Sequence, residues 1–235
     1  MSTATAQTSR TSQLTPLAPV IAFTAVVTGW FNLSEVMPVP LALLLGAGWG
    51  AALGLLGLWI RNRARLGAWL EDGFVSLGAV GFAFAGCGGL MAILMLKGTI
   101  DSSSLTGETL ESTFLPSIPY YIVANSILEL LVVPLVIVLS WRPGVRRVLV
   151  LAAAGLYFVM RVWTYLAFVP RRLGWAESDH TTQVLTAAER RQAADDLMLD
   201  DPRWIMLLAM FAILVVAAHL SRVRELAGSR RPVQR

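Results

Sequence analysis

The stretch Pro119–Ser140 reads PYYIVANSILELLVVPLVIVLS, an apolar run that carries a single charge, Glu129. A helix rises about 1.5 Å per residue and the hydrocarbon core of a bilayer is about 30 Å thick, so a run of this length spans a membrane. Its carboxylate then falls about 15 Å below one end of the span, near the bilayer midplane. A charge at that depth is costly unless it faces a protein interior or a cavity. One span of this kind already implies partner helices.

Five further stretches satisfy the same criterion, so the full set of spans is about 17–36, 39–60, 73–96, 119–140, 148–169 and 204–221. The expected fold is all-α: a polytopic integral membrane protein with six transmembrane helices in one bundle over residues 17–222. A flexible tail, residues 1–16, precedes it and a basic tail, residues 223–235, follows. Composition agrees. The chain is 56% apolar and 14% charged, with mean hydropathy +0.64. Soluble domains carry about 25% charged residues, so a soluble enzyme, a disordered chain and a nucleic-acid binder are all excluded. The first stretch is too long for a signal peptide and ends in Asn32, Glu35 and Met37-Pro38-Val39-Pro40, so it reads as a retained helix.

The net charge of +4 resides in short clusters between the apolar runs. Arg61, Arg63 and Arg65 occupy the second loop, and Arg142, Arg146 and Arg147 the fourth. Arg222, Arg224, Arg230, Arg231 and Arg235 follow the last span. Loops 97–118 and 170–203 carry more acids than bases. The positive-inside rule therefore places both termini in the cytoplasm and these two long loops outside. The bias of arginine over lysine (Lys97 is the sole lysine) suggests a bacterial plasma (inner) membrane. Within the second long loop, Thr186 followed by Glu189 opens an amphipathic helix suited to lie over the outer mouth of the bundle.

Two spans read as scaffold. Gly46, Gly50 and Gly54 recur every four residues, as do Gly81, Ala85 and Gly89, and small residues on one face allow close helix packing. Cys87, among these glycines, is expected as a small core residue. Three other spans carry polar stripes. Thr24, Thr28, Asn32 and Glu35 share one helical face; Tyr121, Asn125 and Glu129 share another; Tyr157, Arg161, Thr164 and Tyr165 share a third. Three such stripes must face one another or a cavity.

The candidate catalytic residues are Glu129, Arg161 and Glu35, with Asn32, Tyr121, Asn125, Tyr157, Thr164 and Tyr165 as substrate-binding residues. Arg161 stays charged in any setting and requires a carboxylate. Pairing with Glu35 leaves Glu129 as a protonated general acid; pairing with Glu129 makes the pair a structural anchor. His180 and His219 fall on opposite sides of the membrane, so no metal or haem site is expected. No nucleotide-binding glycine motif appears. The expected cofactor is none, and the expected partners are the lipid bilayer and a hydrophobic small molecule.

The last part of the chain resembles a known pattern. Arg161-Val-Trp-Thr-Tyr-Leu-Ala-Phe-Val-Pro170 is followed by a polar loop closing on Asp201-Pro-Arg-Trp204. This is similar to the anthrone-oxygenase-like family of small integral membrane proteins, with residues 73–222 matching its four-span core. Thr164, Pro170, Arg203 and Trp204 occupy motif positions, while Arg171 and Arg172 stand where the family often has Asn. The resemblance implies an enzyme that oxidises polycyclic substrates without a recognised metal or flavin.

The expected function is a membrane-embedded enzyme acting on a polycyclic or isoprenoid-like substrate in an outward-opening pocket. Its chemistry is cofactor-independent oxygenation, or acid/base-initiated cyclisation or isomerisation. The alternative is a small proton-coupled carrier, for which a homo-oligomer would supply both halves, or an accessory subunit of a larger complex.

Overall fold

The computed structural model describes residues 14–178 and 181–221. Most of the N-terminal tail, the basic C-terminal tail and His180 lie outside these residues. The described chain is helical, with α1 (Leu17–Leu33), α2 (Val39–Arg61), α3 (Ala64–Ile100), α4 (Gly107–Leu139), α5 (Val145–Ala176), α6 (Ala187–Asp196) and α7 (Arg203–His219). Helices α2 to α5 are long and apolar enough to cross a membrane; α1 and α7 are apolar but shorter. Leu44, Leu55, Val80, Phe84, Leu94, Val159 and Leu166 lie exposed along them, as hydrocarbon rather than water would favour.

Several ends differ from those the apolar runs suggest. Helix α3 begins at Ala64 instead of near residue 73 and so contains Glu71 and Asp72. Their charges are met inside the protein. Arg146 Nε lies 3.4 Å from Glu71 Oε1, and Arg146 also pairs with Asp72. Ser221 Oγ donates to Asp72 Oδ2 at 2.7 Å, and Arg146 Nη1 to the Leu220 carbonyl at 3.0 Å. Arg146, counted above as a topology marker, is buried and ties α5 to α3 and to the end of α7.

The glycine faces pack closely. A Cβ added at Gly46 would lie 2.5 Å from the Thr24 carbonyl oxygen and 2.7 Å from the Gly29 nitrogen, so α1 and α2 meet backbone to backbone. On α3, Gly81 faces Leu128 of α4, while Gly78 and Gly86 face Leu214 and Leu207 of α7. Cys87 is a correction: it is exposed, because the buried face of α3 runs through Phe82, Ala85, Gly86, Gly89 and Ile93.

Wide i→i+5 turns interrupt three helices, at Ala25–Leu33, Leu128–Val132 and Thr164–Phe168. The last two are each followed directly by Val-Pro: Val133-Pro134 and Val169-Pro170. A proline ring clashes with the carbonyl four residues back and brings no N–H. Widening the preceding turn relieves that clash and lets the helix continue. Hence α5 passes through Pro170 to Ala176 instead of ending near residue 169.

The two long connections close on each other. Leu185 N donates to the Leu105 carbonyl at 2.8 Å and Gly107 N to the Thr181 carbonyl at 3.0 Å. Thr186 caps helix α6 through a reciprocal capping box with Glu189. Beneath it Leu96, Leu105, Leu110, Phe114, Ala193 and Leu197 form a separate apolar cluster over one end of the bundle.

Candidate functional site

The three wide turns converge. Arg161 of α5 forms an ion pair through Nε with Glu129 Oε1 of α4, and both side chains are almost wholly buried. Asn32 of α1 donates from Nδ2 to Glu129 Oε2 at 3.3 Å, and to the Val27 carbonyl at 2.5 Å. Arg161 Nη2 donates to the Tyr165 hydroxyl at 2.7 Å. That hydroxyl in turn donates to Asn32 Oδ1 at 2.8 Å, with Glu129 Oε2 at 3.4 Å. From below, the buried Tyr157 hydroxyl reaches Glu129 Oε1 at 3.3 Å and Asn125 Oδ1 at 3.4 Å.

This geometry answers the pairing question. The partner of Arg161 is Glu129. An ionised carboxylate offers about four acceptor positions, and donors occupy both oxygens of Glu129. The pair is therefore a buried anchor between α4 and α5, with Glu129 engaged by Arg161, Asn32, Tyr157 and Tyr165.

Above the anchor lies a cavity of about 420 Å³, within the range of sites for small organic ligands. Its apolar wall includes Phe31, Ile93, Ile122, Met160, Phe168 and Leu207. Of the residues singled out by sequence, Glu129, Arg161, Glu35, Asn32, Tyr121, Asn125, Thr164 and Tyr165 all line it. Tyr157 does not; it sits behind Glu129. Glu35 is exposed at the rim and makes no ion pair among the described residues. Phe31 stacks on Tyr165 with ring centroids 4.7 Å apart and fixes the phenol against the floor.

The sequence reading missed a second polar group in the same cavity: Arg172 and Asp201, with Arg203 noted only for its motif position. Arg203 Nε bonds Asp201 Oδ2 at 2.5 Å, and its Nη1 donates to Thr164 Oγ1 at 2.9 Å. Arg172 donates from Nε to the Leu197 carbonyl at 2.9 Å. The signal for Arg172 was present: it follows Phe168 by four residues on the stripe that begins at Tyr157. Reading Val169-Pro170 as the end of the span cut the stripe short by one turn. Among the described residues, no group of three His, Cys, Asp or Glu side chains is placed to hold a metal ion.

The chain matches no family model, no curated protein and no solved structure.

Proposed function

We propose that this chain is a six-span protein of the plasma membrane with both termini cytoplasmic, and that its cavity is the active site of an enzyme acting on a hydrophobic substrate. The observation that carries this reading is the union of an apolar cavity with a rigid polar floor, Arg161 and Tyr165, locked in place by Glu129 and Asn32. Donors fixed before the reaction are what stabilise developing negative charge. Arg63, Arg65, Arg142 and Arg147, grouped in the connections and first helical turns opposite the cavity mouth, support the orientation.

The reaction class is acid–base chemistry next to a carbonyl. The substrate oxygen lies against Arg161 and Tyr165, and Glu35, the rim carboxylate without an ion pair among the described residues, takes the proton from carbon. Glu129 positions these groups. Isomerisation, cyclisation and oxygenation by dioxygen all proceed from the resulting enolate. The resemblance to anthrone-oxygenase-like proteins favours oxygenation, and two positions on which it rests, Thr164 and Arg203, are hydrogen-bonded here.

Mass spectrometry of organic extracts from gently purified protein tests this reading, comparing wild type with Gly89→Phe. Gly89 lines the cavity, and a Cβ there meets nothing closer than 3.6 Å, so the added ring fills the space without disturbing the floor. A bound non-phospholipid molecule present in wild type and lost in Gly89→Phe is expected. The same extract from both proteins overturns the proposal.

A further inference from the structure

We propose that the cavity holds an anionic amphiphile, its carboxylate or phosphate head seated on Arg172 and Arg203 at the mouth and its hydrocarbon on the apolar wall. This rests on the reading of the cavity as a binding site and adds the charge of what it binds.

Arg172 is only 5% exposed, yet forms no ion pair among the described residues. Its Nε is used by the Leu197 carbonyl, while Nη1 and Nη2 carry no hydrogen bond among the described residues, and the side chain lines the cavity. Burying an unpaired guanidinium is costly. The rings of Phe114 and Phe168 offset part of that cost, but supply no counter-charge. The guanidinium carbons of Arg172 and Arg203 lie 4.2 and 3.1 Å from the ring centroid of the same residue, Phe168. Two cations thus share one ring, and the acid beside them, Asp201, is already engaged with Arg203.

The donors left over agree on what is missing. Arg172 offers the paired N–H edge of its fork, which matches a carboxylate or phosphate in bidentate fashion. Arg203 keeps Nη2 after bonding Asp201 and Thr164. Tyr121 also lines the cavity, within electrostatic reach of both arginines, and its hydroxyl has no hydrogen-bond partner among the described residues. A neutral hydrocarbon would leave all of these unsatisfied. An anionic head completes them and offsets the single positive charge that Arg172, Arg203 and Asp201 leave between them.

Full-length protein in nanodiscs, titrated with a chain-brominated alkyl carboxylate, the matching alkyl phosphate and the matching alcohol, tests this through quenching of Trp204, which lines the cavity. Trp204→Phe gives the background. One of the two anions is expected to bind about tenfold or more tighter than the alcohol, and the tighter one identifies the head group. Arg172→Gln abolishes that preference while alcohol binding persists, and Arg172→Lys retains part of it. Equal binding of anions and alcohol by wild type overturns the anion site but leaves the cavity reading standing. Quenching by none of the three overturns both.

Discussion

The indole N–H of Trp49 on α2 donates to the carbonyl of Leu130 on α4 at 2.8 Å. Leu130 lies four residues before Pro134, which has no N–H to return to it. A side chain from a neighbouring helix thus supplies the donor that proline removes, at the residue next to Glu129. Trp49→Phe is expected to lower stability by about 1 kcal/mol, because the carbonyl is then unsatisfied in an apolar setting. In a Pro134→Ala background the helix regains its own donor, and the same substitution should cost little. Unfolding in mixed micelles, run as a double-mutant cycle, measures the difference; equal costs in both backgrounds would refute the link.

Glycine positions on α2 differ in what surrounds them: Gly46 belongs to the four-residue series, and Gly48, two residues on, lies outside it. A Cβ at Gly46 collides with the backbone of α1, whereas one at Gly48 meets nothing within 4 Å. Gly46→Ala is therefore expected to destabilise by about 2 kcal/mol through forced separation of the helices. Gly48→Ala should be neutral or stabilising by up to about 1 kcal/mol, since alanine is the better helix former. Thermal unfolding of the two variants side by side distinguishes a packing stripe from a merely glycine-rich one.

That contrast shows where sequence was sufficient. Four-residue spacing placed Gly46, Gly50 and Gly54 together because an uninterrupted helix keeps its period. Tyr157 and Arg161 were legible on one face for the same reason, since both precede the wide turn at Thr164–Phe168. Prediction of the rest failed where the helix changes pitch. The wide turn at Ala25–Leu33 rotates Asn32 into the Glu129 network and leaves Glu35 at the rim, although a 3.6 period puts both on one face. Val169-Pro170, after the third wide turn, looks in sequence like a helix end, whereas the span 119–140 was read through Val133-Pro134. The buried cluster of Arg146 with Glu71 and Asp72 was hidden differently, since only the tertiary fold brings residues so far apart in sequence together.

Helix α6, over one end of the bundle, carries a pH-sensitive joint. Glu189 Oε2 accepts hydrogen bonds from the backbone N–H and hydroxyl of Thr186, both at 2.7 Å. The backbone bond first, and the hydroxyl second, hold its carboxyl below the usual carboxylate range. A depressed value means the capping box stabilises α6 above the ordinary carboxylate pKa and is lost as pH falls through the lowered one. Hydrogen-exchange protection of α6, corrected for intrinsic rates, should therefore drop in acid. In Glu189→Gln that dependence should flatten; an unchanged acid transition would show that another group controls the cap.

The Arg161–Glu129 pair makes the sharpest demand on the bundle. Removing one partner leaves a buried charge without its counter-ion, which costs about 3–5 kcal/mol. Glu129→Gln and Arg161→Gln should each destabilise by about that amount. The double variant Glu129→Gln/Arg161→Gln buries no charge, and should recover at least about 2 kcal/mol relative to the sum of the singles. Stability and ligand content then separate two roles of the pair. If it serves only to hold α4 against α5, the double variant keeps its bound molecule as well as its fold. If Arg161 and Tyr165 form the floor on which the substrate oxygen rests, the fold returns and the bound molecule does not. The latter outcome is expected, because Arg161 lines the cavity, and a neutral side chain there cannot replace the charge that a developing oxyanion requires.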